Sequence, residues 1–315
     1  MMGLIINEWV KIFKRKATII MLGLLVLFVL GGAITLNIIN KHDDAKLNPN
    51  WKTELKAENK QLEKDMKHVP GNSGKNYMKK SIAENNYRIE HNLPEDNHYT
   101  AWSFMDDMRN VISLVALFTI IIAAGIVANE FSWGTIKLLM IRPISRVKIL
   151  LSKYVTVVGY ALLNLVVLFV LSLIFGAIFF GFGETSPYLA YSDGHIVERN
   201  QVLHLIGSYG ISSISMLMYT TMAFMISAAF RNSSLAIGVS IFLLLSGASI
   251  TNLLAIKFDW AKYLLFANVD LSPYFDGNAM IDGMTLSFSI VMLLIYFIIF
   301  HVVAFLAFVK RDIAA

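Results

Sequence analysis

The chain has 315 residues, 56% of them hydrophobic and only 16% charged, with a mean hydropathy of +0.60; a soluble globular domain carries about 25% charged residues. The formal net charge is +5, but the cations cluster beside apolar runs instead of forming a basic face, which speaks against a nucleic-acid partner. With no cysteine, disulfides, thiolate metal sites and thiol catalysis are excluded.

These features predict an all-α integral membrane protein that crosses the bilayer several times. Residues 1–16 come first. Ile5, Trp9, Ile12 and Phe13 recur at helical spacing, and Asn7, Glu8, Lys11, Lys14 and Arg15 fill the other face. This pattern predicts an interfacial helix with its cations near anionic headgroups; a polar extension of the first span is the competing reading. The two differ in whether the chain bends near Lys16.

A spanning helix needs about 20 mostly apolar residues. Runs at 17–38, 110–128, 155–180, 207–229, 235–256 and 284–308 meet this condition and predict six spans. The first is read as a retained anchor, because the sequence after it lacks a small-residue cleavage site. The fourth is rich in hydroxyls, which suits close helix packing.

Between the first two spans, residues 40–108 predict a helical hairpin on the extracytoplasmic side. Trp51, Leu55, Leu62 and Met66 share one helical face, and Met78, Ile82, Ile89 and Leu93 share another. PGNSGK at 70–75 supplies the turn and Pro94 closes the unit. The apolar stripes are expected to form the seam between the two helices. Residues 257–283 form a second polar outer segment, before the last span.

Lys and Arg placement gives the orientation. Lys11, Lys14, Arg15 and Lys16 precede the first span; Lys137, Arg142, Arg146, Lys148 and Lys153 lie between the second and third; Arg231, Lys310 and Arg311 follow on the same side. The two short segments opposite hold only Arg199, Lys257 and Lys262. The positive-inside rule places both termini in the cytoplasm of a multi-pass cell-membrane protein.

No phosphate-cradling GxxxxGK[ST], no HExxH and no paired-carboxylate or Ser/His/Asp constellation stands out. The chain is therefore not expected to be an enzyme or to hold a cofactor or metal itself. His301 and Asn164 lie inside predicted spans, where a polar side chain is either a functional site or one half of an interhelical hydrogen bond.

Residues 129–153, NEFSWGTIKLLMIRPISRVKILLSK, are cytoplasmic by this topology and strongly basic. Trp133, Ile136, Leu139, Met140 and Pro143 trace one face of a short helix. The Arg142-Pro143 pair ends it, and Ser145 is expected to cap the helix that enters the third span. Such a helix must lie on lipid or dock onto another protein.

Glu130, Gly134-Thr135, Lys137, Leu138-Leu139, Pro143, Ser145-Arg146 and Lys153 resemble the cytoplasmic loop of ABC-2-type transporter permeases. The resemblance extends to the six spans, the amphipathic N-terminal helix and the outer segment before the last span. The long segment after the first span is similar to that of bacitracin-, lantibiotic- and sodium-export permeases. It implies that 129–153 is a coupling element docking a separate ATP-binding cassette subunit, which binds ATP and Mg. It also implies a second permease chain, identical or not. Glu130, Trp133, Gly134, Thr135, Ile136, Lys137, Leu138, Leu139, Pro143, Ser145 and Arg146 are the expected coupling residues, with Arg146 bonded to the partner or to Glu130. The very apolar second and fifth spans suit a hydrophobic or amphipathic substrate, such as a peptide antibiotic or a lipid-like compound, better than a bare ion. A bacterial membrane sensor or scaffold that relays through 129–153 is the alternative.

Overall fold

The computed structural model describes residues 1–42, 49–69, 72–94, 99–136, 143–183, 187–192, 194–230, 232–275, 281 and 283–309. Helices dominate. Two N-terminal helices, α1 (Met2–Phe13) and α2 (Lys16–His42), are followed by α3 (Trp51–Asp65) and α4 (Asn72–His91). Then come α5 (Ala101–Met108), α6 (Ile112–Ser132) and α7 (Arg146–Phe179). A two-stranded antiparallel hairpin, β1 (Tyr188–Ser192) and β2 (His195–Arg199), leads into α8 (Gln201–Ala229) and α9 (Ser233–Ala255). The short helices α10 (Leu265–Asn268) and α11 (Ser272–Phe275) precede the last long helix, α12 (Leu286–Val309).

Six helical stretches are long and apolar enough to cross a membrane: Lys16–Asn40, Ala101–Ser132, Arg146–Phe179, Gln201–Ala229, Ser233–Ala255 and Leu286–Val309. The second combines α5 and α6 through a short 3-10 turn at Arg109–Val111. The polar residues Asp106, Asp107 and Arg109 break the hydropathy there but not the helix, which starts at Ala101 with Thr100 as its N-cap, accepting from the Ser103 amide.

α5–α6 and α8 are the most buried of these stretches; the other four are fully buried along only a small part of their length. Large side chains such as Leu27 and Phe28 on α2, Ile178 on α7, Leu245 and Leu253 on α9 and Ile298 on α12 point outward. Apolar exterior surface on helices whose backbone groups are satisfied internally is what a lipid solvent demands. The chain is a helical membrane protein.

α6 and α8 pack side by side and parallel along the centre. Tyr209 donates to the Met105 carbonyl at 2.8 Å near one end, and Ser227 accepts from the Val127 and Ala128 amides at 3.1 and 3.0 Å near the other. The hydroxyls that weaken the fourth span as a sequence signal are mostly bonded to carbonyls within α8: Thr220 to Met216 and Thr221 to Leu217, both at 2.7 Å. Such back-bonding lets a hydroxyl sit in an apolar layer without an unmet donor. After α9, Asn268 organises the short helices. It donates to the Lys262 and Leu264 carbonyls at 2.8 Å and accepts from Ser289 at 2.8 Å, which fastens this segment to α12.

α3 and α4 form an antiparallel helical hairpin. Leu55 is buried in its seam, but Asn59 and Asn85 are buried too. Asn85 donates to Asn59 and Asn59 donates to Asn86, both at 2.9 Å. The seam is therefore part polar, where an apolar stripe alone is the sequence expectation. Asn59→Ala should cost about 1–3 kcal/mol, because it strands the Asn85 donor. Faster amide exchange confined to α3 and α4 would show it; unchanged exchange would mean the ladder contributes nothing.

Candidate functional site

The expected coupling segment begins where α6 ends. Its last turn carries Glu130, and Gly134 at φ 72 takes the left-handed conformation that ends the helix. Ile136 is buried and Trp133 is 65% exposed. Residues 137–142, which include Lys137, Leu138, Leu139, Met140 and Arg142, lie outside the described residues, as do Arg231, Lys310 and Arg311. The chain re-emerges at Pro143, and Ser145 caps α7 by accepting from the Lys148 amide.

α1, α6 and α7 converge on a ring of four charges. Lys153 Nζ lies 2.9 Å from Glu8 Oε2 and 3.0 Å from Glu130 Oε1. Lys11 Nζ lies 3.0 Å from Glu8 Oε1 and 3.0 Å from Glu130 Oε1. The ring is neutral, two carboxylates against two ammoniums. Lys153 is 1% exposed, which makes it one of the most enclosed side chains in the chain, while Lys11 stays partly solvated. Thr135 donates its hydroxyl to the other Glu130 oxygen, Oε2. Burial works to lower the Lys11 pKa, but Glu8 and Glu130 outweigh it and hold the ammonium above its ordinary value.

Apolar contacts seat α1 on α7. Trp9 stacks on Phe13 with ring centroids 5.4 Å apart, and Phe13 meets the edge of Tyr160 at 6.2 Å. Gly159 makes the close approach possible, since a Cβ there would stand 2.9 Å from the Trp9 ring. The chain bends at Lys14–Arg15, so α1 is a helix distinct from α2. The Arg15 guanidinium lies 5.5 Å from the centre of the Trp133 ring, within cation–π range.

The sequence pattern places Glu8 on the outer, polar face of α1; the structure corrects this. Glu8 is buried and faces the ring, and the Trp9–Phe13 stripe packs against α7. Met2, Ile6 and Val10 are the exposed large apolar residues of α1. Arg146, expected on the partner or on Glu130, donates to the Val309 carbonyl at 3.0 Å and so ties the start of α7 to the end of α12. Glu8 and Lys11 are absent from the expected coupling set. The one signal for them is a lone acid in a basic amphipathic helix.

The two intramembrane candidates lie apart from the ring. His301 Nδ1 donates to the carbonyl of Phe297 on its own helix at 2.8 Å, and its ring meets the edge of Tyr154 at 4.5 Å. Tyr154 in turn shares a 3.0 Å hydrogen bond with Thr221. Asn164 is fully buried and donates to the Tyr160 carbonyl at 2.8 Å; among the described residues its Oδ1 has no partner. Among the described residues no three of His, Asp and Glu gather as metal ligands.

The family described as "Protein of unknown function (DUF2705)" matches residues 75–314. An uncharacterized protein of Bacillus subtilis (strain 168), YhcI, is 55% identical over 317 residues, covering 100% of both chains. An uncharacterized membrane protein of the same organism, YdbK, is 40% identical over 203 residues, which cover 64% of this chain and 78% of its own.

Proposed function

The chain belongs to the DUF2705 family. We propose that it is the membrane-spanning subunit of an ATP-driven exporter of the ABC-2 type. A separate ATP-binding cassette subunit, holding ATP and Mg, docks on residues 129–153. A second permease chain completes the path, and the cargo is hydrophobic or amphipathic.

The observation that carries this reading is the buried ring of Glu8, Lys11, Glu130 and Lys153. A docking segment does mechanical work only if its flanks are rigid. The ring clamps the end of α6 and the start of α7 to each other and to α1. A push on the intervening residues then moves three helices together. Thr135 stiffens the first flank through Glu130, and Arg146 links the second to α12.

The orientation follows from the cations. Both termini and the ring lie on the cytoplasmic side of the cell membrane, with α3–α4, the β-hairpin and α10–α11 outside. α7, with 34 residues, is about 51 Å long, against a hydrocarbon core of about 30 Å. The excess lets its first turns, with Lys153, stand at headgroup level. α1 lies in the interface, with Ile6 and Val10 toward lipid.

Co-expression with the ATP-binding subunit encoded nearest to the gene, followed by purification in mild detergent, tests the proposal. Wild type should co-purify and raise ATP turnover, and Leu139→Asp should abolish both. Association that survives Leu139→Asp would move the contact away from this segment. A folded chain that binds no such subunit would refute the exporter and favour a sensor relaying through 129–153.

A further inference from the structure

At the end of the molecule remote from the charge ring, a cavity of about 490 Å³ lies between the β-hairpin, the first turns of α8, and α11. Its floor is one stripe of α8. Asn200, Leu203, His204, Gly207, Ser208 and Ile211 all line it, at spacings that put them on a single helical face. Its lining is divided by chemistry. Arg199 stands at the start of α8, where Asn200 caps the helix by accepting from the Val202 and Leu203 amides. Leu203, Ile211 and Phe275 supply apolar wall.

The β-strand alternation decides which charges face the cavity. Glu198 turns to α4, where Tyr87 donates to it at 3.1 Å. Its neighbour Arg199 turns the opposite way and lines the cavity. Among the described residues Arg199 has no ion-pair partner, and no carboxylate lines the cavity. The positive end of the α8 dipole adds to its charge. The shape is fixed before any ligand arrives, because Tyr188 on β1 stacks on His204 of α8 with centroids 3.4 Å apart, the planes 11° from parallel. Ser208 secures that turn through a 2.8 Å bond to the His204 carbonyl.

We propose that this cavity binds an amphiphile with one phosphate-type anionic head. The head pairs with Arg199 at the start of α8, and the apolar portion lies along Leu203 and Ile211. A guanidinium suits a phosphate because two N–H groups can meet two oxygens at once. The inference stands apart from the exporter reading and holds whether or not an ATP-binding subunit docks at the other end.

Gly207 offers a clean test. A Cβ there meets nothing within 4 Å and Gly207 lines the cavity, so Gly207→Phe puts a ring into the cavity without a clash at its Cβ. The purified full chain is titrated calorimetrically with three probes: dihexanoyl phosphatidic acid, dihexanoyl phosphatidylcholine and inorganic phosphate. The phosphatidic acid should bind at least about ten-fold tighter than either of the others. Arg199→Gln should weaken it about ten-fold, the loss of one charge-assisted bond, and Gly207→Phe should abolish it. Both variants should melt at the wild-type temperature, since Arg199 is exposed and Gly207 has room. Equal binding of the phosphatidylcholine, whose phosphate is balanced by choline, would show that the site does not select a net anionic head and would overturn the proposal. Equal binding of inorganic phosphate would reduce the site to a free-anion site. Failure of the phosphatidic acid to bind, or binding indifferent to both substitutions, would overturn the proposal.

Discussion

Lys153→Met should destabilise the protein by about 3–5 kcal/mol, the cost of leaving buried charge uncompensated. Lys153 is 1% exposed and is the ring's most enclosed member. Without it, Glu8 and Glu130 share Lys11 alone, and two carboxylates face each other with one ammonium between them. Methionine fills similar volume, so the loss is electrostatic and not a cavity. Lys11→Met should cost much less. Its side chain is 38% exposed and water replaces part of what it gives up. The double variant Glu130→Gln/Lys153→Met should lose less than the sum of its parts, because removing one charge of each sign leaves Glu8 and Lys11 balanced. Reversible unfolding in mixed micelles measures all three. A Lys153→Met protein within about 1 kcal/mol of wild type would mean that the buried charge is not held by the ring.

The ring also shows what a sequence can and cannot disclose. The six spans are legible because crossing a bilayer requires length and apolarity, both local properties. The Ser145 cap is legible for the same reason, being a statement about a few adjacent residues. The break at Gly134 is not: the pattern puts Trp133 and Ile136 on one face of a single helix, whereas Trp133 caps the end of α6 and Gly134 at φ 72 separates it from Ile136. Glu8 is not. Amphipathic reading assigns a charged residue to the solvated side, and only a partner at position 130 and another at 153 make its burial tolerable. Contacts of that sequence separation leave no periodic trace. Asn59 and Asn85 are hidden likewise, since an asparagine on a helix reads as surface until a second asparagine meets it across the seam.

The β-hairpin is a different case. YLAYS and HIVER flank Asp193-Gly194, a dipeptide favoured in two-residue hairpin turns. The register pairs Ser192 with His195, and Gly194 has φ 87, as such a turn requires. The signal is local and present, but a span criterion of about 20 apolar residues has no place for five-residue strands. The beginning of α5 is hidden for the same reason. Asp106, Asp107 and Arg109 lower the hydropathy of a helix that nevertheless runs from Ala101 toward Ser132.

Gly159→Leu should unseat α1 without touching any charge. Leucine's Cβ would stand 2.9 Å from the Trp9 ring, which is held in place by stacking on Phe13, itself abutting Tyr160. Overpacking of this kind costs about 1–3 kcal/mol, and here the strain is relieved by lifting α1 off α7. Glu8 rides on α1, 2.9 Å from Lys153, so a displacement of about an ångström takes it beyond hydrogen-bond range. Steric damage at Gly159 should therefore reappear as electrostatic damage at the ring. Gly23→Leu on α2 is the control, since a Cβ there meets nothing within 4 Å and leucine favours a helix over glycine. The expected signature is a lowered unfolding midpoint together with faster amide exchange across residues 2–13 for Gly159→Leu, and neither for Gly23→Leu. If an ATP-binding subunit docks on 129–153 as proposed, Gly159→Leu should keep it attached yet lose most of its stimulated turnover, because the proposed docking residues would remain and only their rigid backing would be gone. Identical behaviour of the two leucine variants would show that α1 takes no part in holding the flanks of 129–153.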